Sequence, residues 1–434
     1  MNPFCRLIYR LFITVAFVPA ILQAQAPIPG EPLPPWQPGM LDLHHINTGM
    51  GNAAFYIFPD GTTMLFDAGE QHFADSIISP AHSVAHPNAS KHPYEWIAAY
   101  INIFGPTNNK GKLDYAAISH FHDDHFGSWY PRAPLSTSGN FRLTGITGVG
   151  SLVPIHYLFD RGKEFPVPMI APTQKIDSND LIYTRSCQNY ESFIADQKPK
   201  GLIAEPLKAG SRTQITLSHD PAAYPDFYVQ NIKSGGHLWT GKDTGTHNIL
   251  PLMDPGHSER WPDENSLSLV LTIHYGPFVY YSGGDIAGHL NYGEPPWKDV
   301  ETPVATVVGE VDVATMDHHG NRNSLNEFFV KTLKPRVWID QVWSADHPGQ
   351  DVLIRATNTS LYSGPRDFFA TNMLEANRIV IGPRIDRAYK SMQGHILVRV
   401  TPGGREYYII ILEDQTENPR IKKIFGPYQS KIKS

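Results

Sequence analysis

Residues 113–128 read LDYAAISHFHDDHFGS, and this stretch constrains the chain more than any other. An apolar run (Leu113, then Tyr115 to Ile118) leads through Ser119 into His120, His122, Asp123, Asp124 and His125. The run predicts a buried strand, in which side chains alternate between faces with a period of two. If extended geometry continues briefly, His120 and His122 point the same way, and Asp124 and His125 follow at the turn. Neutral imidazole and carboxylate bind zinc and similar divalent ions at roughly 2.0–2.2 Å. Two ligand groups can be filled here, His120 with His122 and Asp124 with His125, the layout expected of a two-metal site. The plainer alternative is a polar, solvated loop.

The chain has 434 residues, enough for one large domain or two small ones. Its net charge of −6 implies no general attraction to nucleic acid or acidic lipid. Residues 1–24 read as a secretory signal peptide. Arg6 and Arg10 precede LFITVAFVPAIL, an apolar core too short for a comfortable membrane span. Cleavage after Ala24 or Ala26 would place the mature protein in the periplasm or outside the cell; an uncleaved amino-terminal anchor is the alternative. No later stretch is apolar enough to cross a bilayer. Cys5 leaves with the signal, and Cys187 alone forms no internal disulfide. Residues 25–40 are rich in Pro and predict an extended lead-in. The end, 413–434, is basic and reads as a solvated tail.

Between them, residues 41–412 carry the periodic segments. LDLHHINTG, NAAFYIFP and TTMLFDAG read as three strands, the last two joined at Asp60-Gly61 and the third ending at Asp67. EWIAAYINIFG has apolar residues at helical spacing. LTGITGVGSLVPIHYLFDRG leads to a strand ending near Asp160, with His156 read as a core histidine, and YTRSCQNYESFIADQ reads as a helix. Residues 200–262 alternate short strands with turns and hold His219, His237, His247 and His257; about 130–262 is expected to include loop insertions. SLSLVLTIHY and FVYYSG read as paired strands that run on to Asp285. VDVATMDHHGN is a strand ending at His318 and His319. Helix SLNEFFVKTLK and strand PRVWIDQVW follow, then Asp346-His347-Pro348. GHILVRVTPGGREYYIIIL reads as a closing hairpin.

HFHDDH resembles the HxHxDH signature of the metallo-β-lactamase superfamily. The other motifs (Ile46–Ala53, the DAG at Asp67, the NSLSLVL segment ending at Asp285, and the HHG and HP pairs) look most similar to the branch containing the hydrolase domain of ComEC-type DNA-uptake proteins. One departure is clear: the family's two aspartates in the first loop are Asn47 and Asn52 here. The resemblance implies a four-layer αββα sandwich with two mixed sheets, helices outside and metals at one edge. It implies the metal ligands His120, His122, Asp124 and His125, with Asp285 bridging and His347 last. The superfamily usually has one further histidine between 126 and 264, for which His219 is the favoured candidate. Asp67 would orient a ligand, and Asn265 would cap or contact substrate. His318 or His319 would line the site as ligand, proton donor or transition-state contact. Neighbouring side chains point to opposite faces, so one of the pair is expected to enter.

Such a site would hold two divalent ions, zinc or alternatively manganese, which lower the pKa of bound water towards about 7. The implied function is an exported metal-dependent hydrolase that cleaves a phosphoester or phosphodiester through metal-bound hydroxide, with Asp124 orienting it. The substrate would be a small-molecule or oligomeric ester. A lactonase, β-lactamase or other acyl hydrolase on the same metals is an alternative. A non-catalytic extracytoplasmic binding module is another.

Overall fold

The computed structural model describes residues 27–71, 82–170, 178–254, 256–257 and 260–431. Residues 1–24, read as a signal peptide, lie outside the described residues, as does Cys5.

The chain is a mixed α/β protein built on two nine-stranded sheets. The first contains β1 (Leu41–His45), β2 (Ala53–Ile57), β3 (Thr63–Ala68), β4 (Leu113–Ala117), β5 (Ile155–Asp160) and β6 (Ile203–Pro206). The second contains β7 (Phe227–Ser234), β8 (His237–Trp239), β9 (Thr246–Asn248), β10 (Val270–Tyr275), β11 (Phe278–Ser282), β12 (Val313–Thr315), β13 (Val337–Asp340), β14 (Asp367–Ala370) and β15 (Tyr389–Ser391). The chain then returns to the first sheet with β16 (His395–Val400), β17 (Glu406–Leu412) and β18 (Ile421–Gln429). Strand order is β18-β17-β16-β1-β2-β3-β4-β5-β6 in one and β15-β14-β13-β12-β11-β10-β7-β8-β9 in the other. The β3–β4–β5–β6 run is parallel, as is β11–β12–β13–β14–β15; the other pairs are antiparallel.

The side chains explain why both faces of each sheet are covered. In β2, Ala54 and Tyr56 join an apolar cluster that includes Phe227, Ile273 and Val313 of the second sheet. Ala53, Phe55 and Ile57 point the other way, into a cluster with helix α1 (Pro93–Phe104) and its Ile97 and Ile101. In β11, Phe278 and Tyr280 face the first sheet, whereas Val279 and Tyr281 pack with Val304 and Phe329. This is the period-two alternation of a strand buried on two sides. The remaining helices are α2 (Asp123–Phe126), α3 (Gly145–Leu152), α4 (Ser178–Gln197), α5 (Glu301–Val308), α6 (Glu327–Leu333), α7 (Gln350–Thr357), α8 (Glu375–Ile381) and α9 (Pro383–Ala388), making nine among the described residues.

Two expectations change, and a helix appears that the sequence reading did not assign. The segment read as a basic tail forms β18, antiparallel to β17, with Ile421 buried and Lys422 and Lys423 exposed. An edge strand tolerates lysines on its open side, so a basic composition does not exclude it. Within 130–262, Gly145–Leu152 forms α3 despite three glycines, closed by reciprocal Thr144 and Thr147 hydrogen bonds and anchored by buried Ile146 and Val149. His156 is exposed, not a core residue, because it takes the solvent side of β5.

The asparagine at position 47 has a local reason. Its side-chain amide donates to Asp414 Oδ2 at 2.6 Å and to the Thr371 carbonyl at 3.1 Å, while its oxygen accepts from Gly49 N. An aspartate there would set one buried carboxylate against another and lose both donors.

Candidate metal centre

The site forms beyond the carboxyl ends of parallel strands from both sheets, where open α/β sheets place their ligands. From the first sheet, Asp67 is the penultimate residue of β3, and Ser119–His125 follow β4. From the second, Asp285 follows β11, His318 and His319 follow β12, and Gln341, Trp343 and His347 follow β13. Two glycines allow the loops to meet. A Cβ on Gly69 would lie 1.9 Å from the Asp124 carbonyl oxygen. Gly284, at φ +57°, passes between Ser119 and Ser268, where a Cβ would come within 3.0 Å of both side chains.

Asp124, His125, Asp285 and His319 are buried, and each presents a donor atom within 4.8 Å of the others. That spread is comparable with a coordination sphere whose bonds are roughly 2.0–2.2 Å. Asp285 is central. Its Oδ1 lies 3.2 Å from His125 Nε2, and its Oδ2 lies 3.4 Å from His319 Nε2, 3.8 Å from His120 Nε2 and 3.9 Å from His318 Nε2. Asp124 Oδ2 approaches His319 Nε2 at 3.0 Å and accepts from Trp343 Nε1 at 3.1 Å.

The imidazoles are aimed from behind. His125 Nδ1 meets Asp67 Oδ2 at 2.8 Å, so Nε2 is turned to Asp285. Asp67 also accepts from the Ser119 amide at 2.6 Å and its hydroxyl at 2.8 Å, which holds this aspartate at φ 63°. His319 Nδ1 meets the Gln341 carbonyl at 2.9 Å, which turns its Nε2 inward. A partner on one ring nitrogen fixes the tautomer and direction of the other.

The electrostatics follow from this packing. Burial alone would lower both imidazoles, but carboxylates overcome it: His125 is held well above the ordinary histidine value by Asp285, Asp124 and Asp67. His319 is pushed up to about 10, chiefly by Asp285. Burial would raise the two carboxylates, yet the imidazoles hold Asp124 and Asp285 well below the usual range. His120 goes down, through burial and then the neighbouring His125, and His347 is pushed down to about 3 by burial and His319.

The donor set fits a divalent cation. His125 Nε2 and Asp285 Oδ1 are buried, and neither makes a hydrogen bond although they lie 3.2 Å apart. Buried polar atoms are nearly always paired, so this facing couple calls for a shared partner. His347 Nδ1 is a third such atom. Imidazole and carboxylate suit zinc, and manganese is served by the carboxylates.

The remaining predicted residues fall into three places. His120 and His122 form a pair, Nε2 to Nδ1 at 3.0 Å, joined to the cluster through Asp285. The rings of His347 and His319 stack with centroids 4.7 Å apart. His318 sits at the rim, between Asn265 Nδ2 at 3.2 Å and Asn323 Oδ1 at 2.8 Å, so Asn265 contacts a site histidine. Both His318 and His319 border the site. Each has a left-handed backbone, φ 49° and 53°, so the strand alternation that would admit only one does not apply. His219 lies elsewhere. Its amide donates to Asp60 and its ring approaches Asp114 at 3.6 Å, near the start of β4, whereas the metal loop follows the other end of that strand.

Trp343 and the Gln341 carbonyl had no sequence signal beyond belonging to a strand-like run. No family model matches this chain, and no curated protein matches it.

Proposed function

We propose that this chain is an exported metal-dependent hydrolase acting on a phosphoester or phosphodiester, on a four-layer αββα sandwich of the metallo-β-lactamase type. The observation that carries the metal reading is the convergence of four buried donor atoms, from Asp124, His125, Asp285 and His319, within 4.8 Å of one another and drawn from both sheets. Asp124, His125, Asp285 and His319 would hold one divalent ion, and His120, His122 and His347 would extend the set to a second. Bound ions would supply Lewis acidity and lower the pKa of a coordinated water. The chain's own residues do the rest. Asp67 and the Gln341 carbonyl orient two imidazoles, and Trp343 fixes one oxygen of Asp124. His318, partly exposed and held on both ring nitrogens, is placed to contact substrate at the rim. The choice of a phosphoester rests on the motif resemblance to the ComEC-type domain, and export rests on the amino-terminal segment.

The test is metal content of purified protein, followed by a screen against phosphodiesters, phosphomonoesters, lactones and β-lactams with zinc or manganese. About two ions per chain and a phosphodiesterase rate abolished by chelation are expected. Full activity in a metal-free preparation would refute the reading, and turnover of lactones or β-lactams alone would move the protein to acyl transfer.

A further inference from the structure

The segment Asp263–Leu269 touches the site from both sheets. Glu264 Oε1 accepts the Phe121 amide at 2.9 Å. Asn265 contacts His318 Nε2, the Ser268 hydroxyl accepts the Asp285 amide at 3.0 Å, and the Leu269 amide donates to the Ser119 carbonyl at 2.8 Å. Phe121 is the residue between His120 and His122. Its ring is fully buried against Phe126 and Tyr190, while the two histidines pair with each other. The Glu264 contact therefore grips the backbone at the centre of the HxH turn.

Glu264 is itself fixed. Arg161, with a fully buried side chain, makes two parallel hydrogen bonds to it, Nε to Oε1 at 2.7 Å and Nη2 to Oε2 at 2.8 Å. The same guanidinium lies 4.9 Å from the Phe121 ring centroid, so one arginine contacts both the carboxylate and the residue it grips. From beneath, buried Lys233 donates to the Ser266 and Ser268 carbonyls at 2.7 and 3.0 Å, which pins the turn on either side of Leu267. A bidentate arginine–carboxylate pair sets direction as well as distance. A carboxylate so held is a rigid acceptor, and the amide it accepts fixes the peptide planes that aim His120 and His122.

We propose that Glu264, oriented by Arg161, is the positioning residue for the His120–His122 arm of the metal centre and sets its affinity through the Phe121 amide. This rests on the metal reading above.

The test separates that hydrogen bond from the buried charge. Removing one partner of a buried ion pair leaves the other uncompensated and can unfold the protein. Two double variants avoid this. Arg161→Met with Glu264→Gln is neutral but keeps a side-chain oxygen for the Phe121 amide. Arg161→Met with Glu264→Ala is neutral and lacks it. Glu264→Asp keeps both charge and arginine but shortens the reach. Each is titrated with cobalt(II), following the visible absorption of the bound ion, with circular dichroism as the folding control. The Gln variant keeps the acceptor but loses the arginine that orients it, so it should fall between wild type and the Ala variant, with a loss of about three- to tenfold. The Ala variant and Glu264→Asp should lose about ten- to a hundredfold in affinity, with a shifted band, the range found when a group supporting a metal ligand is removed. A folded Ala variant or Glu264→Asp that matches wild type in affinity and spectrum overturns the inference and leaves the metal reading standing. Wild-type protein that takes up no cobalt overturns both.

Discussion

At the scale of single residues, Asp285 decides most. It faces four imidazoles at 3.2 to 3.9 Å, and one of its oxygens has no hydrogen bond. Asp285→Asn keeps the shape and removes the charge. Metal affinity or rate should fall by about a hundredfold, the scale of groups that fix charge at a reacting centre, with the circular dichroism spectrum unchanged. Retained metal and rate would place the site on another carboxylate. The raised imidazoles make a separate prediction. His319, pushed up to about 10, holds a proton at neutral pH that a cation must displace from Nε2, and Asp285, Asp124 and Asp67 shift His125 in the same direction. Because these values are raised, acid strengthens the competing proton, and affinity should climb as pH rises towards 10. Calorimetry of zinc binding to chelator-treated protein, in buffers of different ionisation enthalpy near pH 7, should show about one proton or more released. Binding with no proton release would contradict the assignment of these two histidines. The residues the sequence made legible are those of the contiguous HFHDDH motif, with Asp285, His319 and His347 marked by short motifs at strand ends. Trp343 and Glu264 escaped because they act on Asp124 and Phe121 across more than a hundred positions, and no local pattern encodes that distance. His219 was misplaced for a related reason: an interval names candidates but not the end of the sheet each will occupy.

At the scale of elements, strands declared themselves wherever apolar residues alternated or ran together between turns, as in β4, β10, β11 and β16. What misled was composition standing in for pattern. Lys422 and Lys423 masked Ile421, Phe425 and Tyr428, which pack into the two clusters on either face of the first sheet. The glycines of α3 masked a helix that its cap and two buried side chains sustain. Likewise, expecting a single entering histidine at 318–319 assumed an extended backbone that the left-handed turn replaces. β18 supports a prediction. Deleting residues from 421 onward removes buried Ile421 and the Tyr428 hydroxyl bond to Asp367 at 2.8 Å, and bares the edge of β17, EYYIIIL. Each fully buried side chain of this size contributes about 1.5–3 kcal/mol, and an open apolar edge invites pairing between molecules. The truncated protein should melt several degrees lower and scatter light at concentrations where the full chain stays clear. An unchanged melting temperature would show the strand to be dispensable.

At the scale of the whole molecule, the candidate site draws on both sheets and on residues from 67 to 347, so it exists only once the two sheets have met. One connection governs when that can happen. β1 lies between β2 and β16, pairing Leu41 with Val400 and His45 with Ile396. The first strand to be made therefore waits for almost the last. Local helices and the β2–β3 hairpin can form early, but the centre of the first sheet stays open along one side until residue 400 is available. Contacts of such separation are slow to close. A chain with this arrangement has a built-in delay. The first sheet cannot be completed until β16 has been added beside β1. The order of strands therefore sets an order of closure, with the first sheet completed at its middle and completed late.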